Sequence, residues 1–249
     1  MKMEKIYPEN NSNIAILIPA YNEAKYIKGV IQESLEYGLD IIVVDDGSTD
    51  GTADTVRPLV SNDSPGVILI EHGTNKGKGR ALKTGFDFAA ERKYLGVITI
   101  DADGQHKIRE IADFIDAVYK TEPDIIVGSR FQNTKGMPFI RLATNFFTSW
   151  LISAIAGQKI NDVQSGFRYI GYRALKNIKL ETSNFDTEPE ILLKASWMNY
   201  RIINIPISTI YHENFVSHVN PVKDTVKFFK LVFKSIGWKR KFKRYRTTL

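Results

Sequence analysis

Two aspartates separated by one residue, Asp101-Ala102-Asp103, follow the apolar run Ile98-Thr99-Ile100 and precede Gly104-Gln105-His106. A strand over 97–101 would put both carboxylates where the backbone leaves a sheet and curls into a loop. Two carboxylates so placed can share one hard divalent cation, Mg2+ or Mn2+, with substrate phosphates completing its shell. Such a cation would offset charge building on a diphosphate leaving group. Gln105 and His106 are either further ligands or polar loop groups, and the whole segment can also be read as a solvated acidic turn.

Four other clusters carry chemistry. Asp45-Asp46-Gly47-Ser48-Thr49-Asp50-Gly51-Thr52 either accepts hydrogen bonds from a base and a ribose or forms a tight turn that caps a helix. Asn75-Lys76-Gly77-Lys78-Gly79-Arg80 opens a helix, where free amides and lysines suit an anion; a flexible basic loop is the alternative. Its spacing is not that of a P-loop, and no Gly-x-Gly-x-x-Gly follows the first strand, which disfavours a dinucleotide enzyme. Arg130, in Gly128-Ser129-Arg130, offers a planar fork for a phosphate or an ordinary ion pair. In Asn161-Asp162-Val163-Gln164-Ser165-Gly166-Phe167-Arg168, Asp162 is a base, a sugar ligand or part of a turn. Glu188 and Glu190 begin a helix and complement its dipole.

The elements that must position these residues alternate. Apolar runs over 14–19, 41–45, 67–71, 97–101 and 125–128 predict buried strands, and helical patterns over 23–37, 52–60, 78–92 and 108–120 lie between them. That order predicts an α/β fold: a mostly parallel sheet with helices on both faces, its ligands outside the carboxyl ends of the strands. The chain has 249 residues and 43% hydrophobic composition, enough for one large domain. It has no cysteine, which excludes disulfides, thiolate metal sites and cysteine nucleophiles. The first thirteen residues have no apolar core and do not read as a secretory leader, and no apolar run is long enough to span a membrane.

Taken together, the motifs resemble the inverting family 2 glycosyltransferases of GT-A fold, in the branch of dolichol-phosphate and polyprenyl-phosphate hexosyltransferases. The resemblance rests on Ile18-Pro19-Ala20-Tyr21-Asn22-Glu23, on 44–52, on Asn75-Lys76-Gly77-Lys78-Gly79, on Asp101 through His106, on Gly128-Ser129-Arg130 and on Ser165-Gly166-Phe167-Arg168. It covers roughly residues 14–210. It implies that Pro19, Tyr21, Glu23 and Asp46 hold the base and ribose, with Lys78 near the nucleotide. It implies that Asp101, Asp103 and Gln105 carry the Mg2+ or Mn2+ and the diphosphate. Arg130 and Arg141 would take the acceptor phosphate, and Asp162 would lie at the sugar or the attacking oxygen; Asp162, Asp103 and Arg130 form the implied catalytic set. The donor would be a UDP- or GDP-hexose and the acceptor a polyprenyl phosphate. The alternatives are a transferase with a sugar hydroxyl as acceptor and a non-catalytic nucleotide-sugar binding protein. Mannosyl members carry an arginine and a Gly-x-Ser-Lys element after the last strands; this chain instead reads Tyr211-His212-Glu213-Asn214-Phe215-Val216-Ser217-His218, without the arginine.

Charge divides the chain into 1–219, expected to be the catalytic domain, and a basic segment, 220–249. Residues 223–249 hold ten Lys/Arg against one Asp, whereas the whole chain carries +6. The remainder is therefore net acidic. Val222, Val226, Phe229, Phe233 and Ile236 recur at helical spacing, flanked by Lys223, Lys227, Lys230 and Lys234, with Trp238 following. This pattern predicts an amphipathic helix on an anionic membrane surface, hence a peripheral protein at the cytoplasmic face. A helix packed on the domain is the competing form, and no nucleic-acid motif accompanies the charge.

Overall fold

The structure, a computed structural model, describes residues 14–132, 139–184, 186–208, 210 and 232–239. Among these residues, seven strands form one sheet: β1 (Ile14–Ala20), β2 (Asp40–Asp45), β3 (Val67–Glu71), β4 (Gly96–Thr99), β5 (Ile125–Ser129), β6 (Arg168–Gly171) and β7 (Ile202–Pro206). Their order is β3-β2-β1-β4-β6-β5-β7. Only β6 runs antiparallel, paired with β4 on one side and β5 on the other. The five strands expected from sequence are all present, within two residues at each end. β6 and β7 are additional. β6 has only four residues, Arg-Tyr-Ile-Gly, too few to show a period.

Side chains alternate across the sheet. Ile14, Ile16 and Ile18 of β1 face α1 (Ile27–Leu35) and α4 (Ile111–Thr121), through Ile27, Ile31, Ile111, Phe114 and Ile115. Ala15 and Leu17 face the other layer: α3 (Lys78–Glu91), α5 (Phe139–Ala156), α6 (Tyr172–Asn177) and α7 (Thr187–Trp197). Both faces of β1 and β2 are thus covered, which is why their sequences are continuous apolar runs. Two expected helices are shorter or split. The segment after β1 is a loop through Tyr26 before α1 begins, and α2 (Thr52–Val56) gives way to a 3-10 turn at Arg57-Pro58-Leu59.

Among the described residues, no helix is long and apolar enough to cross a membrane. Residues 232–239 are helical. Within them, Trp238 is 3% exposed, while Phe233 and Ile236 lie open to solvent. The sequence placed Trp238 at a membrane boundary; the structure buries it. Lys194 of α7 and Lys234 lie over its ring at 4.4 and 5.2 Å. Residues 211–218 and the apolar positions Val222, Val226 and Phe229 lie outside the described residues.

Candidate active site

The ends of β1, β2 and β4, the loop after β3 and the loop before β6 meet at one edge. The loops after β1 and β2 are stitched together. Asn22, held at a φ of 58°, donates its amide to Ser48 Oγ at 2.9 Å and accepts the Thr49 amide on Oδ1 at 2.9 Å. The Glu23 amide reaches Thr52 Oγ1 at 2.8 Å, and the Ala24 amide reaches Asp50 Oδ2 at 3.0 Å. The other oxygen of Asp50 accepts the amide and hydroxyl of Thr52 at the start of α2. The cap and the turn foreseen for this motif are therefore both present, and they also fix where Tyr21 and Glu23 stand. Tyr21 is exposed, and Pro19 is buried in β1.

The helix start at α3 binds an anion, and that anion is the protein's own Asp46. This carboxylate is buried and accepts the amides of Lys76 at 3.0 Å and Gly77 at 2.7 Å. His72 Nδ1 lies 2.7 Å from it, while His72 Nε2 meets Thr84 Oγ1 at 2.9 Å. Gly77 adopts a φ of 93°, and a side chain there would strike the carbonyl of Ser183. Asp46 thus brackets the loop that delivers Lys78. His72, which the sequence gave no reason to single out, holds the bracket.

Charge concentrates after β4. Asp101 Oδ1 lies 2.7 Å from Lys78 Nζ, and Asp101 Oδ2 lies 3.4 Å from His106 Nε2. Lys78 Nζ also reaches Glu188 Oε1 at 3.1 Å, so one ammonium sits between two carboxylates. Burial opposes each charge, but the pairing outweighs it: the Lys78 ammonium is held up, and the Asp101 carboxyl is held far below its ordinary range. Asp103 is pushed the other way, by burial and by the Asp101 charge. Glu23 is raised to about 7 by burial and by the charges of Asp103, Asp101 and Asp50. Asp103 Oδ1 accepts the Gln105 amide at 3.0 Å, which turns the loop back on itself. Gly166 packs against Asp101 so closely that any side chain at 166 would overlap the carboxylate.

This donor set suits a hard cation. The Asp101 charge raises the proton affinity of Asp103 beside it, and a divalent ion would relieve that repulsion. Among the described residues, no group of three or more His, Cys, Asp or Glu is assembled into a ready cage. A cation here would need oxygens from its substrate, as expected where phosphate completes the shell.

Arg130 and Asp162, read separately from sequence, form one unit. Asp162 is fully buried and accepts Arg130 Nε at 2.7 Å, Nη2 at 2.8 Å and the Arg130 amide at 3.1 Å. Burial works against its charge, but the Arg130 contacts prevail and hold the carboxyl below its usual range. Arg141 lies in α5 by its backbone, and its side chain is outside the described residues. Arg168, the last residue of the Ser165-Gly166-Phe167-Arg168 motif, is fully buried. Its guanidinium donates to the carbonyls of Ser165 at 2.7 Å, Glu188 at 2.9 Å and Val163 at 2.6 Å. It ties the Asp162 loop to the start of α7, and burial lowers its pKa to about 10. Glu190, read as a dipole complement, is also buried. It accepts the amides of Glu181 and Thr182 and pairs with Lys194 at 2.5 Å.

Comparison with known proteins agrees with this geometry. Residues 15–183 match the model of glycosyl transferase family 2. The UDP-N-acetylglucosamine–dolichyl-phosphate N-acetylglucosaminyltransferase of Methanococcus voltae is 34% identical, over 90% of this chain and 96% of that one. The polyprenol monophosphomannose synthase of Mycolicibacterium smegmatis is 28% identical, over 87% and 84%. Among solved structures, glucosyl-3-phosphoglycerate synthase from Mycobacterium tuberculosis, in complex with Mn2+, UDP and phosphoglyceric acid, superposes with a TM-score of 0.67. It is 18% identical, over 92% of this chain and 78% of that one, a likeness of fold. With more than half of its length inside the family model and its loaded strand edge assembled as described, this chain belongs to glycosyl transferase family 2 and is a glycosyltransferase of GT-A fold.

Proposed function

We propose that the chain moves a hexose or N-acetylhexosamine from a nucleotide diphosphate sugar to a polyprenyl phosphate, with inversion at the anomeric carbon. The observation that carries the choice of acceptor is the buried Arg130–Asp162 pair. A sugar hydroxyl needs a base to remove its proton. Asp162 is ill suited to that task, because Arg130 engages both of its oxygens and lowers its affinity for a proton. A phosphate monoester, with a second pKa of about 6, is already largely dianionic at neutral pH. Asp162 then orients Arg130, and Arg130, with Arg141, steers the acceptor phosphate.

In this reading Pro19, Tyr21 and Glu23 face the base and ribose, while Asp46 sets the loop that brings Lys78 to the nucleotide. Asp101, Asp103 and Gln105 would hold Mg2+ or Mn2+. When bound, such an ion supplies positive charge to the departing diphosphate. The similarity to dolichyl-phosphate and polyprenol enzymes supports the acceptor class, and the Methanococcus relative makes UDP-N-acetylglucosamine the first donor to try. A hydroxyl acceptor is the second reading, favoured by Glu23, whose raised pKa would suit a base. A donor panel of UDP- and GDP-sugars, offered short polyprenyl phosphate or a free sugar, separates the two. Transfer to the free sugar alone would overturn the first.

For the membrane we read 1–219 as the catalytic domain and 220–249 as a contact segment, held to that domain at Trp238. Phe233 is 72% exposed, and α5 presents Phe146 at 64% and Trp150 at 60%. These aromatics, with the ten basic residues of 223–249, suit the interface of an anionic bilayer at the cytoplasmic face. Because Trp238 is buried, point changes test this better than truncation. Phe233→Ser with Ile236→Ser should reduce sedimentation with anionic vesicles while the fold is kept. Unchanged sedimentation would move the contact to Phe146 and Trp150.

A further inference from the structure

Both oxygens of Asp101 already have cationic or polar neighbours: Lys78 on Oδ1 and His106 on Oδ2. For Asp101 to serve a divalent cation, Lys78 must yield. Its ammonium already touches Glu188 Oε1 at 3.1 Å. The second oxygen of Glu188 is buried, and no hydrogen-bond partner accounts for it. Glu188 is 5% exposed, and with Lys78, Asp101, Thr99, Arg168 and Pro19 it lines a small cavity. A buried carboxylate oxygen without a donor is costly, and its presence beside the Lys78 ammonium calls for a role. Two further features fix the geometry. Arg168 holds the backbone of Glu188 at 2.9 Å, and Lys78 is anchored as the first residue of α3.

We propose that Lys78 is the resident counter-ion of Asp101, and that Glu188 is the positioning residue to which its ammonium turns when Asp101 gives its oxygen to a divalent cation. Lys78 thereby offsets the repulsion between the Asp101 and Glu188 carboxylates and keeps the site ordered before the cation arrives. After the turn, it stays charged beside the nucleotide instead of being expelled into solvent. Glu188 acts through Lys78, not on the substrate. This inference rests on the cation assignment made in the proposed function, and its test needs neither donor nor acceptor.

Chelator-treated full-length protein would be titrated with Mn2+ alone, with free ion followed by electron paramagnetic resonance. Lys78→Met should bind Mn2+ about tenfold more tightly than the unaltered protein, because a competing charge is gone. Glu188→Gln should bind about fivefold more weakly, because Lys78 is left with Asp101 as its only partner. In the double variant the second change should have little further effect, since Glu188 has nothing left to receive. Simple field effects would add instead. Lys78→Gln gives a second, hydrogen-bonding replacement with the same expectation, and thermal melts confirm folding in each case. A folding defect weakens binding, so a gain in affinity cannot arise from one. Weaker or unchanged Mn2+ binding in both Lys78 variants, or additive effects in the double variant, overturns the inference. If Asp103→Ala binds Mn2+ like the unaltered protein, the cation assignment fails first and this inference fails with it.

Discussion

Between β1 and β2 the loops are held by backbone amides reaching neutral or capping side chains: Asn22 to Ser48, Thr49 to Asn22, Glu23 to Thr52, Ala24 to Asp50. Around the end of β4 the partners are charged and share one another: Lys78 between Asp101 and Glu188, Asp103 beside Asp101, Arg130 on Asp162. The first region is tied by amide bonds of 2.8–3.0 Å to neutral or capping groups, and its charges are not shared among one another. One buried carboxylate oxygen there, Asp45 Oδ1, is left without a partner. The second keeps buried atoms without partners, Glu188 Oε2 and His106 Nδ1, and charges whose balance an incoming ligand can change. On the proposed function, rigidity is put where a flat base would be recognised, and adjustable charge where charge would move during reaction.

If this contrast holds, Asp103→Ala should have the largest effect, lowering transfer about a thousandfold with the melting temperature nearly unchanged. Steady-state assays with excess Mn2+, paired with calorimetry, check it, and an equal loss from Asp50→Ala would erase the distinction. Arg168→Met should come next. It leaves three buried carbonyls without their donor and should cost about 4 kcal/mol of stability, read by denaturant unfolding. Asp50→Ala removes a cap and a loop tie together. It should cost about 1–2 kcal/mol and weaken nucleotide binding without altering Mn2+ affinity.

The smallest effect is a matter of pH. Glu23 rises from 4.5 to about 7 on folding, so the native state holds its proton more tightly than the unfolded chain. Its contribution is most favourable below about 4.5 and is lost as pH climbs through about 7. In chelator, Glu23→Gln should therefore raise the melting temperature by a few degrees at pH 8 and by less at pH 5. The same shift at both pH values would mean that the carboxyl feels no crowding.

How far the sequence carried depended on whether a residue's partners were near in the chain. The parallel strands were legible because burial on both faces leaves continuous apolar runs, as at Ile41 through Val44. The loop motifs were legible because turns and carboxylates at strand ends are local features. Arg168 and His72 were not, because their partners lie in other elements, Glu188 and Asp46. Glu190 looked like a dipole complement since an acidic first turn has that meaning in isolation. Its true setting, with Lys194 and the amides of Glu181 and Thr182, arises only when α7 is buried along its whole length. Trp238 was misplaced for the same reason: an aromatic beside lysines looks alike at a lipid boundary and over the buried Lys194.

The lone antiparallel strand has a consequence for the order in which the molecule assembles. β3, β2, β1 and β4 come from neighbouring stretches of chain and can pair as they emerge, whereas β6 must return to β4 across a long loop. Thr99 and Arg168, which meet where the strands pair, are 69 residues apart. Contacts that distant close slowly. Since β6 follows the loop with Asp162 and Gly166, a nascent chain can hold Asp101 and Asp103 beyond the end of β4 before Gly166 and Asp162 arrive. The β1 and β2 loops therefore mature ahead of the Arg130–Asp162 unit, and pulse-labelled hydrogen exchange should find the amides of β1 and β2 protected earlier than those of β6.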